Sequence, residues 1–282
     1  VTLHGIVTKE TLNVYFSKEK RIKTEILITI LDIIYVIHYK LLTKISDVIV
    51  VHNSNVKRKL LERINQKYEK KIVVIPHGVD TPTLHKKSMQ TRNEKINLLF
   101  TGFIRRNKGI EELIEAVSIL DKTTKGKLKV IIAGSPHMGD DANYCMKIKS
   151  MVKKYRLEEV IELKIKFIPE KKLSKLLENA DIIVLPYKDY FYEASGVLAR
   201  VMGYGKPIIC SNIPKFSSEL KNRVDAIIVP PGDKKSLAKA IKTLITNKDL
   251  RQKLMQNIRK KTKLRKWQEV AQKYIKLYLS ML

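Results

Sequence analysis

Residues Leu98 to Ala116 read LLFTGFIRRNKGIEELIEA, and this stretch decides the fold. Leu98, Leu99 and Phe100 form an apolar run that breaks at Gly102. Arg105, Arg106, Asn107 and Lys108 follow as a short basic segment, and from Gly109 onward Ile110, Leu113, Ile114 and Val117 recur at helical spacing. A strand, a glycine, a basic loop and a helix N-terminus together can hold phosphate, because backbone N–H groups and the positive end of the helix dipole meet there. Arg105 and Lys108 would add full charges. Taken alone, the pattern equally describes an ordinary βα turn with solvated cations.

Working outward, the same alternation continues in both directions. Leu128 to Gly134 reads as a strand ending at glycine, and a helix follows from about Ala142 to Lys154. Val160 to Leu163 and Phe167-Ile168 read as a strand pair. Pro169-Glu170 opens a helix with proline and acid in its first turn. Ala180 to Pro186 is a strand, Ser195-Gly196 opens a helix to Tyr204, and Gly205-Lys206-Pro207 stops it. Ile208 to Cys210 and Ala226 to Val229 are two more strands, and Ser236 to Thr246 is a helix. This is a complete doubly wound domain, whose ligands belong beyond the carboxyl ends of the strands.

Upstream, Val48 to Val51 and Lys71 to Ile75 are short buried-type strands. His52 to Asn55 supplies a turn and N-cap for a helix through Leu60, Leu61 and Ile64. Thr11 to Lys23 reads as a polar loop. Ile26, Ile30, Ile33, Ile34, Ile37, Leu41 and Ile45 form the apolar stripe of an amphipathic helix. The apolar segment Ile26 to Val36 is interrupted by Thr29 and Asp32 and falls short of the ~18 uninterrupted apolar residues of a spanning helix. Val1 to Gly5 reads as the end of a buried strand met in mid-pattern, so the first part of an N-terminal domain is expected to be missing. Thr81 to Glu94 is polar, contains Pro82 and reads as a linker.

A chain of 282 residues fits two domains at about 150 residues each. It carries 56 Lys+Arg against 28 Asp+Glu, a net charge of +28, which implies an anionic partner: nucleic acid, an acidic membrane surface or a phosphorylated substrate. The lysines are spread along the chain rather than gathered in tails, so a solvated basic surface is the simplest account. No aromatic platform interleaved with basic residues and no helix-turn-helix or zinc pattern supports nucleic acid. Cys145 and Cys210 have no metal-ligand spacing and form no disulfide framework, which fits a reducing, cytoplasmic setting.

Several stretches in order carry a resemblance: VTLHG at residues 1–5, KIVVIPHGVD at 71–80, the stretch at 98–116, VIIAGSPH at 130–137, FIPEKKLSKLLENADIIVLPY at 167–187, EASGVLARVMGYGKPII at 193–209 and VPPGD at 229–233. In these the chain resembles the retaining glycosyltransferases of family 4, which have the GT-B fold. That resemblance implies an α/β architecture of two Rossmann-like domains facing a cleft. Residues 1–80 would be a partial acceptor-side domain and 81–262 the nucleotide-sugar-binding domain. Residues 263–282 would form a terminal helix that packs back on the first domain along Trp267, Val270, Ala271, Tyr274, Leu277, Tyr278 and Met281. The amphipathic helix around Ile26 to Ile45 would pack its apolar face within the first domain.

The resemblance also implies residue roles. Arg105 and Lys108, with Gly102, match the group that holds the donor diphosphate. Ser195 and Gly196 would offer backbone N–H groups to the donor. His4 occupies the position of a histidine near the acceptor and donor sugar, while His77 and His137 are expected to be structural. Glu193 matches the first of two motif glutamates. Counting back from Gly205, Arg200 stands where the second would bind ribose, and an arginine accepts no hydrogen bond. Glu219 is a further donor-contact candidate, and base selection is expected near Lys166 to Pro169. The catalytic set expected on this basis is His4, Arg105, Lys108 and Glu193.

No cofactor and no metal are expected, since the cations and helix N-termini supply the electrostatics; Asp140-Asp141 reads as a helix start. The implied activity is transfer of a sugar, with retention, from a UDP- or GDP-linked donor to a glycan or lipid-linked acceptor. The implied location is the cytoplasm, with the cytoplasmic face of an anionic membrane as a candidate. Two alternatives stand beside it: a degenerate, non-catalytic GT-B scaffold, favoured by Arg200, and a basic nucleic-acid-binding protein.

Overall fold

The computed structural model describes residues 1–15, 22–80, 95–136 and 141–282; the expected linker at 81–94, His137 and Asp140 lie outside them. The N-terminal part runs β1 (Thr2–Leu3), β2 (Gly5–Ile6), α1 (Lys9–Tyr15), α2 (Ile22–Ile45), β3 (Ile49–Val51), α3 (Ser54–Ile64) and β4 (Ile72–Val74). β1, β3 and β4 form a parallel three-stranded sheet in the order β1-β3-β4. Asn53 caps α3 by accepting the Val56 N–H at 2.8 Å, and Val56, Leu60, Leu61 and Ile64 pack on Ile49, Val51 and Ile72.

Several local expectations are corrected here. Residues 9–15 are helical rather than loop: the Thr8 hydroxyl accepts the Thr11 N–H, and Thr8, Thr11 and Leu12 are buried. β1 lies at the edge of its sheet, with Thr2 exposed rather than buried. α2 presents its aliphatic stripe to the outside, with Ile26, Ile30, Ile33, Ile34, Ile37, Leu41 and Ile45 each 49–79% exposed. Its opposite side does the docking. Ile28, Tyr39 and Thr43 are buried, Asp32 pairs with Arg63, and the Tyr39 hydroxyl accepts the Val7 N–H at 2.8 Å. Lys71 then fixes the helix end by donating to the Thr43 and Ser46 carbonyls. The stretch Thr24–Ile45 is long and apolar enough, by length and composition, to cross a membrane. Burial of Ile28 and Tyr39 together with these polar contacts, not the aliphatic stripe, therefore orients this helix.

The C-terminal part continues with β5 (Ile96–Thr101), α4 (Ile110–Ser118), α5 (Lys122–Gly126), β6 (Leu128–Gly134), α6 (Asp141–Lys154), β7 (Ile161–Ile165), α7 (Glu170–Asn179) and β8 (Ile182–Leu185). It ends with β9 (Tyr192–Glu193), α8 (Gly196–Gly203), β10 (Ile208–Ser211), α9 (Pro214–Ser217), β11 (Ile227–Val229), α10 (Lys234–Thr246), α11 (Lys248–Lys263) and α12 (Trp267–Leu279). The parallel sheet has the order β11-β10-β8-β5-β6-β7. β8 and β10 are buried throughout, as unbroken apolar strands covered on both faces should be. From β5 the chain moves outward through β6 and β7, then returns to the other side of β5 as β8. The connections after β5 and β8 therefore diverge and leave a crevice at their carboxyl ends.

The expected strand at Phe167-Ile168 does not form. The ladder of β7 to β6 ends with the Lys166 N–H on the Gly134 carbonyl, and Phe167, 76% exposed, leads into Pro169. β9, α9 and α11 were not expected. β9 matters most, because it pairs antiparallel with β2, Gly5 opposite Glu193 and Ile6 opposite Tyr192, and so stitches the two parts together. α12 completes the junction: Val270 packs with Val50 and Ile75, Tyr274 and Leu277 lie half-buried against them, and the Trp267 Nε1–H donates to Asp80. Trp267, Tyr278 and Met281 of the expected stripe stay largely exposed.

Gly109, at the head of α4, has φ +69°, and a Cβ there would lie 1.8 Å from the Pro186 carbonyl oxygen. Gly232 has a similar φ of +78° with open space around it. A left-handed L residue costs roughly 1–2 kcal/mol. Gly232→Ala is expected to lose about that much stability, and Gly109→Ala distinctly more, because the loop must also move away from Pro186. Equal denaturation midpoints for the two variants would show that the close approach carries no weight.

Candidate donor-binding site

The crevice between β5 and β8 is walled by the two segments that follow those strands. After β5, Gly102 (φ +141°) turns the chain, and residues Arg106–Lys108 make one 3-10 turn before α4. After β8 come Pro186, Tyr187, Lys188 and Asp189. The segments are joined directly, since the Lys188 N–H donates to the Asn107 carbonyl at 2.9 Å, and Lys188 pairs with Glu112.

Tyr187 is the floor. Its ring is 1% exposed, lies against Phe100 and Phe216, and carries the Lys108 ammonium 3.9 Å from its centroid. Burial lowers the Lys108 pKa to about 8, with Lys215 and Arg105 adding to the fall and Asp189 and Glu193 opposing it. An ammonium held in partly desolvated surroundings, with Arg105 near it at the start of a helix, lacks anionic charge. Polar atoms near it are also unsatisfied, and the two of them that can only accept suit the hydroxyl or N–H donors of a ligand. Tyr187 Oη, Asp189 Oδ1 and Asn107 Oδ1 are buried and have no hydrogen-bond partner among the described residues. Such groups concentrate where a ligand is received. The Tyr187 hydroxyl is 3.1 Å from where a Cβ on Gly102 would sit, which explains the glycine.

A second layer orders the site from below. Lys215, on α9 and 2% exposed, donates to Asp189 at 3.0 Å and to Glu193 at 2.6 Å. Asp189 is equally buried, whereas the Glu193 side chain is 45% exposed and presents its remaining acceptor capacity outward. Glu193 is held from the N-terminal part as well: Asn53 donates to its carbonyl at 3.2 Å, and the His4 carbonyl accepts the neighbouring Ala194 N–H at 3.0 Å. Ser195 caps α8 by accepting the Leu198 N–H at 3.1 Å, and Gly196 beside it faces open space.

Of the residues singled out in the sequence, the structure brings together Gly102, Arg105 and Lys108 on one wall and Glu193, Ser195 and Gly196 on the segment opposite, while His4, between β1 and β2, meets that segment through its carbonyl. Arg200 is placed differently: it projects from α8 to pair with Glu170 at 3.1 Å, at the head of α7. Glu219 is buried in an ion pair with Arg265, whose guanidinium also donates to the His77 carbonyl, so both serve the junction between the two parts. Sequence reasoning missed Tyr187, Asp189 and Lys215. For Lys215 a signal existed, a lone lysine inside the apolar run Ile213-Pro214-Lys215-Phe216.

The fold and site together define a doubly wound domain with a cationic crevice beyond the carboxyl ends of its strands. Residues 82–261 match the family model described as glycosyl transferases group 1, and the chain belongs to that family. Among its relatives is an uncharacterized glycosyltransferase of Methanocaldococcus jannaschii, MJ1607, 26% identical over 199 residues that cover 68% of this chain and 47% of the relative. The chain thus spans about half of that protein's length. Among solved structures it is similar to sucrose-phosphate synthase from Thermosynechococcus elongatus, with a TM-score of 0.74, 20% identity and coverage of 99% of this chain and 67% of that one. It is also similar to Anabaena Alr3699/HepE in complex with UDP, with a TM-score of 0.77, 15% identity and coverage of 100% and 71%. The fold is GT-B.

Proposed function

We propose that the protein transfers a sugar, with retention of configuration, from a UDP- or GDP-linked donor to a glycan or lipid-linked acceptor. The observation that carries this reading is Lys108, a partly desolvated cation on the Tyr187 ring at the N-terminal end of α4, with Arg105 beside it. As the bond between the sugar and the diphosphate loosens, negative charge gathers on the leaving phosphate. Preorganised cations and a helix N-terminus stabilise that charge without a metal. Glu193, fixed by Lys215, would accept hydrogen bonds from donor sugar hydroxyls, and His4, in the bend between β1 and β2, would line the same space. Binding of UDP by Anabaena HepE supports a nucleotide donor. The net charge of +28 and the outward aliphatic stripe of α2 support work at the cytoplasmic face of an anionic membrane.

Thermal-shift titration with nucleoside diphosphates tests the donor assignment. UDP or GDP should stabilise the protein specifically, and Arg105→Ala/Lys108→Ala should abolish the shift. Salt-sensitive DNA binding with no nucleotide preference would overturn it, and tight nucleotide binding without turnover would favour the non-catalytic scaffold that the Arg200–Glu170 pair permits. Affinity for the diphosphate should fall as pH rises through about 8, where free Lys108 loses its proton. The sign for stability is opposite. The unfolded chain keeps that proton up to the ordinary 10.5, so between about 8 and 10.5 the unfolded state binds more protons and this group makes native stability rise with pH.

A further inference from the structure

The small parallel sheet ends in three histidines. His4 follows β1, His52 follows β3, and His77 comes shortly after β4. Leu3 is the register partner of Val51, and Val51 of Val74, so the three side chains rise at one end of adjacent strands. The ring centroids lie 4.6 Å apart for His4–His52, 4.0 Å for His52–His77 and 5.5 Å for His4–His77. One nitrogen from each ring lies within 4.8 Å of the other two. Sugar transfer as proposed above uses at most His4, and leaves the other two without a task.

His52 supplies the second, independent observation. Its Nδ1 is 2.8 Å from the Ile75 carbonyl oxygen, which can only accept, so the proton sits on Nδ1 and Nε2 offers a lone pair. That Nε2 is buried without a partner among the described residues, on a side chain 5% exposed. A histidine whose far nitrogen donates to a backbone carbonyl, while the near one presents a bare lone pair, is oriented as metal-ligating histidines are.

We propose that His4, His52 and His77 bind one first-row transition-metal dication, Zn²⁺ foremost, leaving a fourth position for water or another ligand. Three imidazoles and an open position are a well-matched set for Zn²⁺. Zn–N bonds of about 2.0–2.1 Å require nitrogens about 3.3 Å apart in a tetrahedral site. His4, which is exposed, has room to turn about its side-chain bonds toward the other two, while the Nδ1 bond to Ile75 keeps His52 in place. The positive charge of Arg265 is answered by Glu219. The sequence reading expects no metal; this site lies at the small sheet, and its existence does not depend on transferase activity.

Isothermal titration of the untagged protein with Zn²⁺, against a competing chelator, tests the proposal. One equivalent should bind, and His4→Ala, an exposed and structurally mild change, should weaken it by at least the roughly 10–100-fold that loss of even an outer-sphere partner costs. His77→Gln should do the same, while His38→Ala, on the exposed face of α2, should leave binding unchanged. Co²⁺ should give a visible absorption band of tetrahedral type that is lost in His4→Ala. Equal Zn²⁺ affinity in wild type and His4→Ala, or no stoichiometric binding, would overturn it.

Discussion

Replacing Lys108 by alanine is expected to lower kcat for release of the nucleoside diphosphate by about 10²–10³, equivalent to roughly 2.7–4 kcal/mol of transition-state stabilisation. The charge it supplies matters most when the leaving phosphate becomes more anionic, so the loss should fall on kcat more than on KM. Stability should respond differently. Lys108 is a cation held in surroundings that favour its neutral form, so the native state pays to keep it charged. Lys108→Ala should therefore leave the melting temperature unchanged or raise it, a common trade at active sites. Turnover is measured with the donor that gives the largest thermal shift. A kcat within twofold of wild type would remove Lys108 from the chemistry, and a large fall in melting temperature would mean that it acts as a structural residue.

Lys215→Met is expected to be the most damaging single change to stability, by about 3–5 kcal/mol, because it leaves the Asp189 carboxylate buried and unpaired. Asn107 remains near that carboxylate, but at 3.4 Å its amide does not replace an ammonium. Adding Asp189→Asn should recover most of the loss, since a neutral amide needs no counter-ion. Urea denaturation of the single and double variants measures the coupling. A single variant within about 1 kcal/mol of wild type would show that the pair contributes nothing net. The same substitution frees Glu193, so donor KM should rise even in the stabilised double variant.

The two predictions concern residues of very different legibility. Arg105 and Lys108 stand in a local pattern of strand, glycine, basic loop and helix, and local patterns are visible in one dimension. Lys215 and Asp189 meet across 26 positions of sequence and touch only because β8 and β10 are neighbours in the sheet. Tyr187 is one tyrosine among 12, and nothing in its flanks announces that a lysine will rest on its ring. Arg200 marks the opposite limit. A motif count set it at the place of the second glutamate, and only the fold shows that its side chain pairs with Glu170, an acid that is 30 residues away in the chain.

α2 shows the same division in the fold. Its periodicity correctly gave a helix, and its aliphatic stripe gave the face expected to be buried. The structure buries the other face, because Asp32–Arg63 and Tyr39–Val7 fix the rotation of the helix and hydrophobic periodicity carries no information about such partners. β9 was invisible for a related reason: two residues that pair with β2 across the whole chain have no periodicity to read.

The sequence by itself determined the alternation of strands and helices, the doubly wound class and the strand, glycine, basic loop and helix pattern at Gly102 to Gly109, since these rest on spacing, turn chemistry and charge within a few residues. Only the tertiary structure decided which side of α2 is buried, that Lys215 locks Asp189 to Glu193, and that His4, His52 and His77 stand together at the ends of three adjacent strands. Each of those depends on strand order and register, which place distant residues within a few ångströms of one another and which no local run of side chains specifies.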